Sequence, residues 1–179
     1  MSEHVSPPAS PDDAESPLSF QRVLVPLDFS EHARKALRHG RGLARQFGAK
    51  LILLHVVEPM VYPSDLCYTP VLSKELTAEV HQEAENRLQA AVRAEQARGI
   101  ECEGLLRFGR PYLEIAALAE EQAVDLIVLT THGYTGLKHV VLGSTAERVV
   151  RHAPCPVLVV RDRRRSAPAP DAPPDKPAA

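Results

Sequence analysis

Residues 124–161 read VDLIVLTTHGYTGLKHVVLGSTAERVVRHAPCPVLVVR, and this stretch decides the fold that we expect. The apolar run 126–129 is too short for a helix and is typical of a strand that is covered on both faces. A polar loop follows, and Ser144 or Thr145 can cap an amphipathic helix that passes through Val150. The pattern therefore indicates a strand, a loop and a helix. Amides of such a loop, together with the positive end of the helix, form a seat for an anion.

Three glycines punctuate the loop, at Gly133, Gly136 and Gly143. Glycine permits a positive φ or a close approach of the main chain to a ligand. We therefore predict that this loop holds phosphate groups. A turn that needs its glycines only for steric reasons is the alternative.

Strand and helix patterns alternate along the rest of the chain in the same way. Short apolar runs predict strands, and apolar residues at every third or fourth position predict helices. Before residue 124, the predicted elements are a strand over 22–26, a helix from Ser30 to Gly48, a strand over 50–57, a long helix that Gly99 ends, a strand over 103–108 and a helix that starts at Pro111. A fifth strand covers 157–160. The alternation predicts an α/β fold of one domain, a doubly wound parallel sheet with helices on both faces.

The long second helix has an apolar stripe with one exception. Its apolar positions are Leu72, Leu76, Val80, Ala84, Leu88 and Ala91. Glu95 falls on the same stripe and breaks it.

The two ends of the chain differ in composition from its centre. Residues 1–19 are rich in Ser, Pro, Asp and Glu, and residues 162–179 consist mostly of Pro, Ala, Arg and Asp. Neither segment buries enough apolar surface to offset its ordering entropy, so we predict two disordered tails around a domain over 20–161. The formal net charge of −2 belongs to the ends, and residues 20–160 are neutral. A neutral domain argues against a nucleic-acid partner.

Composition also bears on the cellular compartment. No apolar run approaches the roughly 18 residues that a membrane helix needs. The first residues, Met-Ser-Glu-His, lack the features of a secretory signal. The three cysteines, Cys67, Cys102 and Cys155, are odd in number and widely spaced, as expected of reduced packing thiols. We expect a cytoplasmic protein without a membrane partner.

Polar or turn-forming residues follow several of the predicted strands. Pro26-Leu-Asp28 follows the first strand, Val56 ends the second, and Thr130-Thr-His132 follows the fourth. In an open parallel sheet, ligands bind beyond the carboxyl ends of the strands, so these residues should meet there. The carboxylate of Asp28 is suited to accept ribose hydroxyls or to hold a divalent metal. Its alternative role is capping of the helix near Ser30.

Five motifs in this order resemble the universal stress protein family over nearly the whole of residues 20–161. They are VLVPLDFS (23–30), LLHV (53–56), GRP (109–111), the stretch from Asp125 to Ser144, and APCPVLVV (153–160). The resemblance implies a five-stranded sheet of the adenine nucleotide alpha hydrolase-like kind. It also implies a homodimer that is formed partly by the last strand, whose short apolar sequence suits an edge that a second copy covers.

Family members that bind ATP share the pattern Gly-x-x-Gly-x9-Gly-Ser/Thr. Gly133, Gly143 and Ser144 match it here, whereas Thr130 stands where the first glycine would be. A Thr130 with extended torsions would fit and could offer its hydroxyl to ribose. If the position requires a positive φ, the β-branched side chain would be strained by roughly 1 to 3 kcal/mol.

The resemblance also implies roles for individual residues. Pro26 and Val56 would line the adenine slot, and Asp28 would lie near the ribose and the phosphates. The phosphates would be held by the amides and hydroxyls of Gly133, Gly143, Ser144 and Thr145.

Two histidines lie near the expected site, and neither is predicted to be catalytic. General acid or base catalysis needs a positioned partner, and the sequence shows none for His132, which we assign to loop shaping or nucleotide contact. His55 is predicted to be a hydrogen-bonded core histidine. Neither a P-loop nor a Gly-x-Ser-x-Gly elbow is present in the sequence.

The leading hypothesis is a dimeric, cytoplasmic stress protein that binds ATP, with Mg²⁺ or Mn²⁺ accompanying the nucleotide. Any hydrolysis is expected to be slow, because positioning groups are present while dedicated activating groups are not. The alternative is a nucleotide-free protein-interaction module of the same fold, and Thr130 motivates it. The client protein is not indicated by the sequence.

Overall fold

The computed structural model describes residues 18–58, 74–130 and 143–161, with the side chains of 74–77 excepted. The strands in these ranges are β1 (Arg22–Pro26), β2 (Lys50–Val57), β3 (Cys102–Phe108), β4 (Leu126–Thr130) and β5 (Val157–Val160). The helices are α1 (Glu31–Phe47), α2 (Lys74–Gln96), α3 (Pro111–Glu121) and α4 (Ser144–His152). The predicted tails over 1–19 and 162–179 lie almost wholly outside the described residues, and Cys67 does so too.

All five strands form one parallel sheet in the order β3-β2-β1-β4-β5. The predicted α/β fold is therefore confirmed. The strand order reverses between β1 and β4, since β1 leads outward to β2 and β4 leads outward to β5. The recorded pairing of these two central strands ends at Leu24–Ile127, before the carboxyl end of either strand. A crevice at the switch point follows from this geometry, and it lies at the edge where ligands bind in such sheets.

Successive side chains of the strands point to opposite faces of the sheet and pack in two separate hydrophobic cores. On one face, Val23 and Val25 pack with buried residues of α1 and α2. On the other face, Leu24 packs with buried residues of α3 and α4. Both faces are covered by helices, which explains why the strands are apolar without alternation.

Helix α1 begins and ends where its sequence predicts. The Oγ atom of Ser30 accepts a hydrogen bond from the amide of Ala33 at 3.1 Å, and Gly48 ends the helix with a φ of 64°. These are the usual N-cap and C-cap solutions for unpaired amides and carbonyls. The helix therefore has a fixed starting point close to the carboxyl end of β1.

The exception in the stripe of α2 has a partner on α1. Glu95 is 2% exposed, and its carboxylate accepts hydrogen bonds from the Nε and Nη2 atoms of Arg41, the latter at 2.6 Å. Ala84 and Leu88 are buried as predicted, whereas Val80 is exposed. The apolar stripe of α2 is thus buried only in the part of the helix that lies over the sheet.

The predicted side-chain cap of the last helix was wrong. Gly143 is the N-cap residue of α4 and has no side chain that could cap it, and Ser144 is already helical. Gly143 has a φ of −66° and a ψ of 152°, an extended conformation that does not require glycine. The N-cap residue of α4 therefore leaves the first amides of the helix without a bond from its own side chain.

Candidate functional site

A cavity of about 390 Å³ opens at the carboxyl edge of the sheet. Its walls come from the ends of β2, β1 and β4 and from the N-terminal parts of α1, α3 and α4. Small-molecule sites commonly have volumes of roughly 300 to 1,000 Å³. The cavity therefore has a size and a position that suit a small ligand.

Most of the predicted site residues meet in this cavity. Those that line it are Pro26, Asp28, Val56, Thr130, Gly143, Ser144 and Thr145. His132 and Gly133 lie outside the described residues. Residues that are more than 100 positions apart in the sequence are brought together by the strand order alone.

The structure adds lining residues that sequence reasoning missed. Pro111 and Ile115 belong to α3, where the sequence indicated only a helix start and a buried face. Glu58 follows β2 directly, and its position after a strand was the available signal. With these additions, the lining of the cavity combines apolar residues with two carboxylates, Asp28 and Glu58.

The carboxylate of Asp28 is held by the next turn of chain. Its Oδ1 atom accepts a hydrogen bond from the amide of Ser30 at 2.9 Å. Ser30 itself caps α1, so the helix-capping role that was the alternative for Asp28 belongs to its neighbour. A carboxylate can accept several hydrogen bonds, so Asp28 can also accept from a ligand.

Thr130 adopts ordinary strand geometry. It is the last residue of β4, where it pairs with Val160. In the part of the chain that the structure describes, the non-glycine residues with positive φ are Phe29 and Ala123, so Thr130 has negative φ. The strain that a threonine would suffer at positive φ is therefore absent at this position.

The N-terminus of α4 lies against the cavity. Glu147 donates its amide to the carbonyl of Gly143 at 2.9 Å, which is the first hydrogen bond inside the helix. The amides of Ser144, Thr145 and Ala146 precede it and have no partner inside the helix. All three residues line the cavity, and their amides together with the helix dipole favour an anion there.

A metal site built from protein side chains is not found in the described ranges, where no three His, Cys, Asp or Glu side chains come together suitably. None of the helices in those ranges has the length and apolar character that crossing a membrane requires.

Comparisons with known proteins agree on one family. The model of the universal stress protein family matches residues 19–161. The universal stress protein YxiE of Bacillus subtilis is 36% identical over 147 residues, which cover 79% of this chain and 99% of that protein.

Solved structures show the same similarity. Protein MJ0577 of Methanocaldococcus jannaschii is 31% identical with a TM-score of 0.70, and the match covers 82% of this chain and 99% of that one. A universal stress protein of Archaeoglobus fulgidus in complex with dAMP is 23% identical with a TM-score of 0.57, over 79% of this chain and 98% of that one. At that identity the likeness is one of fold.

Proposed function

Since the chain belongs to the universal stress protein family, we propose that it binds ATP in the cavity at the carboxyl edge of its sheet. The observation that carries this proposal is the meeting of three features in one cavity. They are an apolar slot at Val56 and Pro26, a fixed carboxylate at Asp28, and the N-terminus of α4 with its glycine N-cap. Each of these features complements one part of a nucleotide.

The strand order sets the direction in which the nucleotide lies. Across the sheet, β2 is followed by β1 and then by β4, which leads to α4. Phosphates at the amides of Ser144 and Thr145 place the ribose near Asp28 and the base over Val56 at the end of β2. Thr130 lies between the ribose and phosphate regions, and Gly143 lets the phosphates approach the main chain.

The main chain of Val56 gives a reason to expect adenine. The carbonyl of Leu54 accepts from the amide of Leu27 at 2.7 Å toward β1, and the carbonyl of Val57 accepts from the amide of Gly109 at 3.1 Å toward β3. Because strand residues alternate in direction, Val56 presents its amide and carbonyl toward β1, whose pairing with β2 ends at Pro26–Leu54.

A base edge can continue this pairing beyond the end of β1. Adenine offers an acceptor at N1 and a donor at its 6-amino group, which complement the amide and the carbonyl of one residue. Guanine offers the reverse pattern at the corresponding atoms. We therefore expect ATP to bind more tightly than GTP.

The similarity to other proteins supports the proposal at the level of the fold. A family member in complex with dAMP has the same fold as this chain, which shows that the fold can hold an adenine nucleotide. The support for ATP in particular comes from the cavity of this chain.

Several features of the proposal go with the nucleotide. Mg²⁺ or Mn²⁺ would be bound mainly by the phosphates, with Asp28 as a protein ligand. Hydrolysis would be slow at most.

We also propose a cytoplasmic homodimer through β5, which lies at an edge of the sheet and exposes Leu158.

Calorimetric titration with ATP and MgCl₂ tests the proposal. We expect saturable binding of ATP, weaker binding of GTP, and a loss of affinity when Asp28 is changed. Purified protein is first stripped of nucleotide, and the released material is identified by chromatography. An absence of binding at millimolar ATP would leave the nucleotide-free interaction module as the function, although the extended torsions of Thr130 remove the reason for preferring it.

A further inference from the structure

His55 lies one residue before Val56 and faces the opposite side of the sheet. Its Nδ1 atom is 2.6 Å from the carbonyl oxygen of Leu27. A carbonyl oxygen only accepts, so Nδ1 carries the hydrogen and donates it.

The residue after Asp28 is held from the same side. Phe29 has a φ of 59°, a left-handed conformation that a bulky side chain rarely adopts. Its ring lies against the ring of His55 with a centroid distance of 4.6 Å, and the guanidinium carbon of Arg87 lies 4.3 Å from the Phe29 centroid. His55 thus contacts the segment 27–29 twice, through its main chain at Leu27 and through its ring at Phe29.

Leu27 is buried in the core on the side of α1 and α2, whereas Phe29 is only partly buried. On the side of α2, Phe29, His55 and Arg87 border a second cavity of about 360 Å³. Asp28, between the two contacted residues, lines the first cavity instead. Beyond the buried Leu27 the segment therefore runs between two open spaces, where His55 and Arg87 contact Phe29.

We propose that His55 is a positioning residue for Asp28, an inference that rests on the proposed function. The hydrogen bond to Leu27 and the ring contact to Phe29 fix the residues on both sides of Asp28. With both neighbours fixed, the carboxylate stays at one place over the ribose position. His55 does not touch the nucleotide in this arrangement, because it faces the other side of the sheet from Val56.

Nucleotides with and without ribose hydroxyls separate this role from a general effect on stability. The ratio of the dissociation constants of 2′,3′-dideoxy-ATP and ATP measures how much the hydrogen bonds between the ribose hydroxyls and Asp28 contribute to affinity. We expect a ratio of about 10 for the unaltered protein. This is the gain in affinity that a hydrogen bond to a charged group ordinarily provides. In His55→Gln, whose amide donor is displaced from the Nδ1 position, the ratio falls to about 1 to 2, with dideoxy-ATP affinity unchanged.

Two matched variants complete the experiment. His55→Asn carries a donor at nearly the position of Nδ1, so it should keep most of the ratio, and Asp28→Asn should lose it. In the double variant His55→Gln/Asp28→Asn, the histidine change should have no further effect on ATP affinity. Unfolding curves report whether each variant folds, and His55→Leu serves as a second donor-free variant if His55→Gln fails to fold.

The outcomes distinguish this inference from the proposed function. If the unaltered protein binds no ATP, the proposed function fails and the inference fails with it. If the unaltered protein shows the ratio and both folded donor-free variants keep it, ATP binding stands and the positioning role of His55 is overturned. A loss of affinity for both nucleotides by the same factor also overturns it, since that is the result of a merely structural change.

Discussion

The two faces of the sheet differ in how they use their polar groups. On the side of α3 and α4, apolar residues end in a cavity that is bordered by the N-terminus of α4, whose N-cap residue is a glycine. On the side of α1 and α2, polar side chains are engaged by other groups of the protein, as in the ion pair of Glu95 with Arg41 and the hydrogen bond of His55 to the main-chain carbonyl of Leu27. One face thus offers its polar groups to a ligand, whereas the other uses them to hold the protein together.

Because of this difference, neighbouring residues of one strand have different roles: one lines the proposed ligand site and the next stabilises the protein around it. Val56 lines the proposed site and His55, its neighbour, holds the segment behind it. Substitutions on the two faces are therefore expected to have different consequences. Changes in the core on the side of α1 and α2 should alter the free energy of unfolding, and changes in the cavity or at His55 should alter ligand affinity.

The largest effect is expected at the buried ion pair. Glu95→Gln leaves the guanidinium of Arg41 in a partly buried place without a compensating charge, which should lower the free energy of unfolding by about 3 kcal/mol. Urea unfolding measures this change. The matched control is Glu121→Gln, which breaks the exposed pair with Arg107 and should cost less than about 1 kcal/mol. Equal losses in the two variants would contradict the distinction.

The contact between α1 and β1 comes next. A Cβ atom on Gly40 would lie 2.5 Å from Cγ2 of Val25, so Gly40→Ala should destabilise the protein by about 2 kcal/mol through overpacking. Gly42 lies in the same helix with open space around it. Gly42→Ala should therefore stabilise by about 0.5 to 1 kcal/mol. Thermal unfolding shows whether each variant is less or more stable than the unaltered protein. Stabilisation by Gly40→Ala would show that α1 is free to move away from β1.

A substitution in the cavity is expected to lower the affinity for ATP without changing the stability of the protein. Asp28→Asn should weaken ATP binding about tenfold, or by about 1.4 kcal/mol, while the unfolding midpoint stays nearly unchanged. Asp125 at the opposite edge of the sheet is the control, since its Oδ2 accepts from the amides of Gln21 and Arg22. Asp125→Asn should lower stability and leave affinity as it was. The reverse pattern would place the ligand elsewhere.

The smallest effect on stability is expected from the thiol of Cys102, which lies in the core on the side of α1 and α2. Burial, and then the charges of Glu95 and Glu103, raise the pKa of Cys102 from 9.0 to about 12. Below pH 9.0 the thiol is protonated in the folded and unfolded states alike. Between pH 9.0 and about 12 it ionises only in the unfolded state, so stability falls as pH rises through this window.

Urea unfolding at pH 8 and pH 10 checks this sign. The unaltered protein should lose about 1 kcal/mol more between these pH values than Cys102→Ala does. Cys155 packs on the other face, and burial, followed by the charge of Asp125, raises its pKa as well. The same loss in the unaltered protein and in Cys102→Ala would show that other groups cause the alkaline fall.

Much of the fold was predictable because local sequence determines it. The predicted bounds of β1, β2 and β5 agree with the structure, as do the caps of α1 at Ser30 and Gly48. Strand length, apolar content and capping residues are local properties, and they sufficed. The α/β class followed from the alternation of elements.

Other features depend on contacts between distant parts of the chain. Glu95 looked like a fault in the stripe of α2, because its partner Arg41 lies 54 positions earlier in the sequence. The positive φ of Phe29 has no signature in a residue that is neither glycine nor asparagine. The cap of α4 was assigned to Ser144 or Thr145 because serine and threonine are good caps, whereas the helix begins one residue earlier.

The candidate site shows the same division. Residues at strand ends were predictable, since parallel strands bring their carboxyl ends together, and seven predicted site residues line the cavity. Pro111 and Ile115 were missed because the sequence does not show which helix covers which strands. Whether the cavity binds ATP stays a prediction for the titrations described above.

The order of the strands has a consequence for how the protein acquires its native state. β1, β2 and β3 follow one another in sequence and lie side by side, so this half forms from contacts between neighbouring segments. β4 joins this half by pairing with β1, at a separation of more than 100 residues between Val23 and Leu126. Closing that long loop is entropically costly, and we expect it to be a late event. The cavity needs both strands, so a nascent chain that is still emerging from the ribosome would have its scaffold before it has anywhere to receive a ligand.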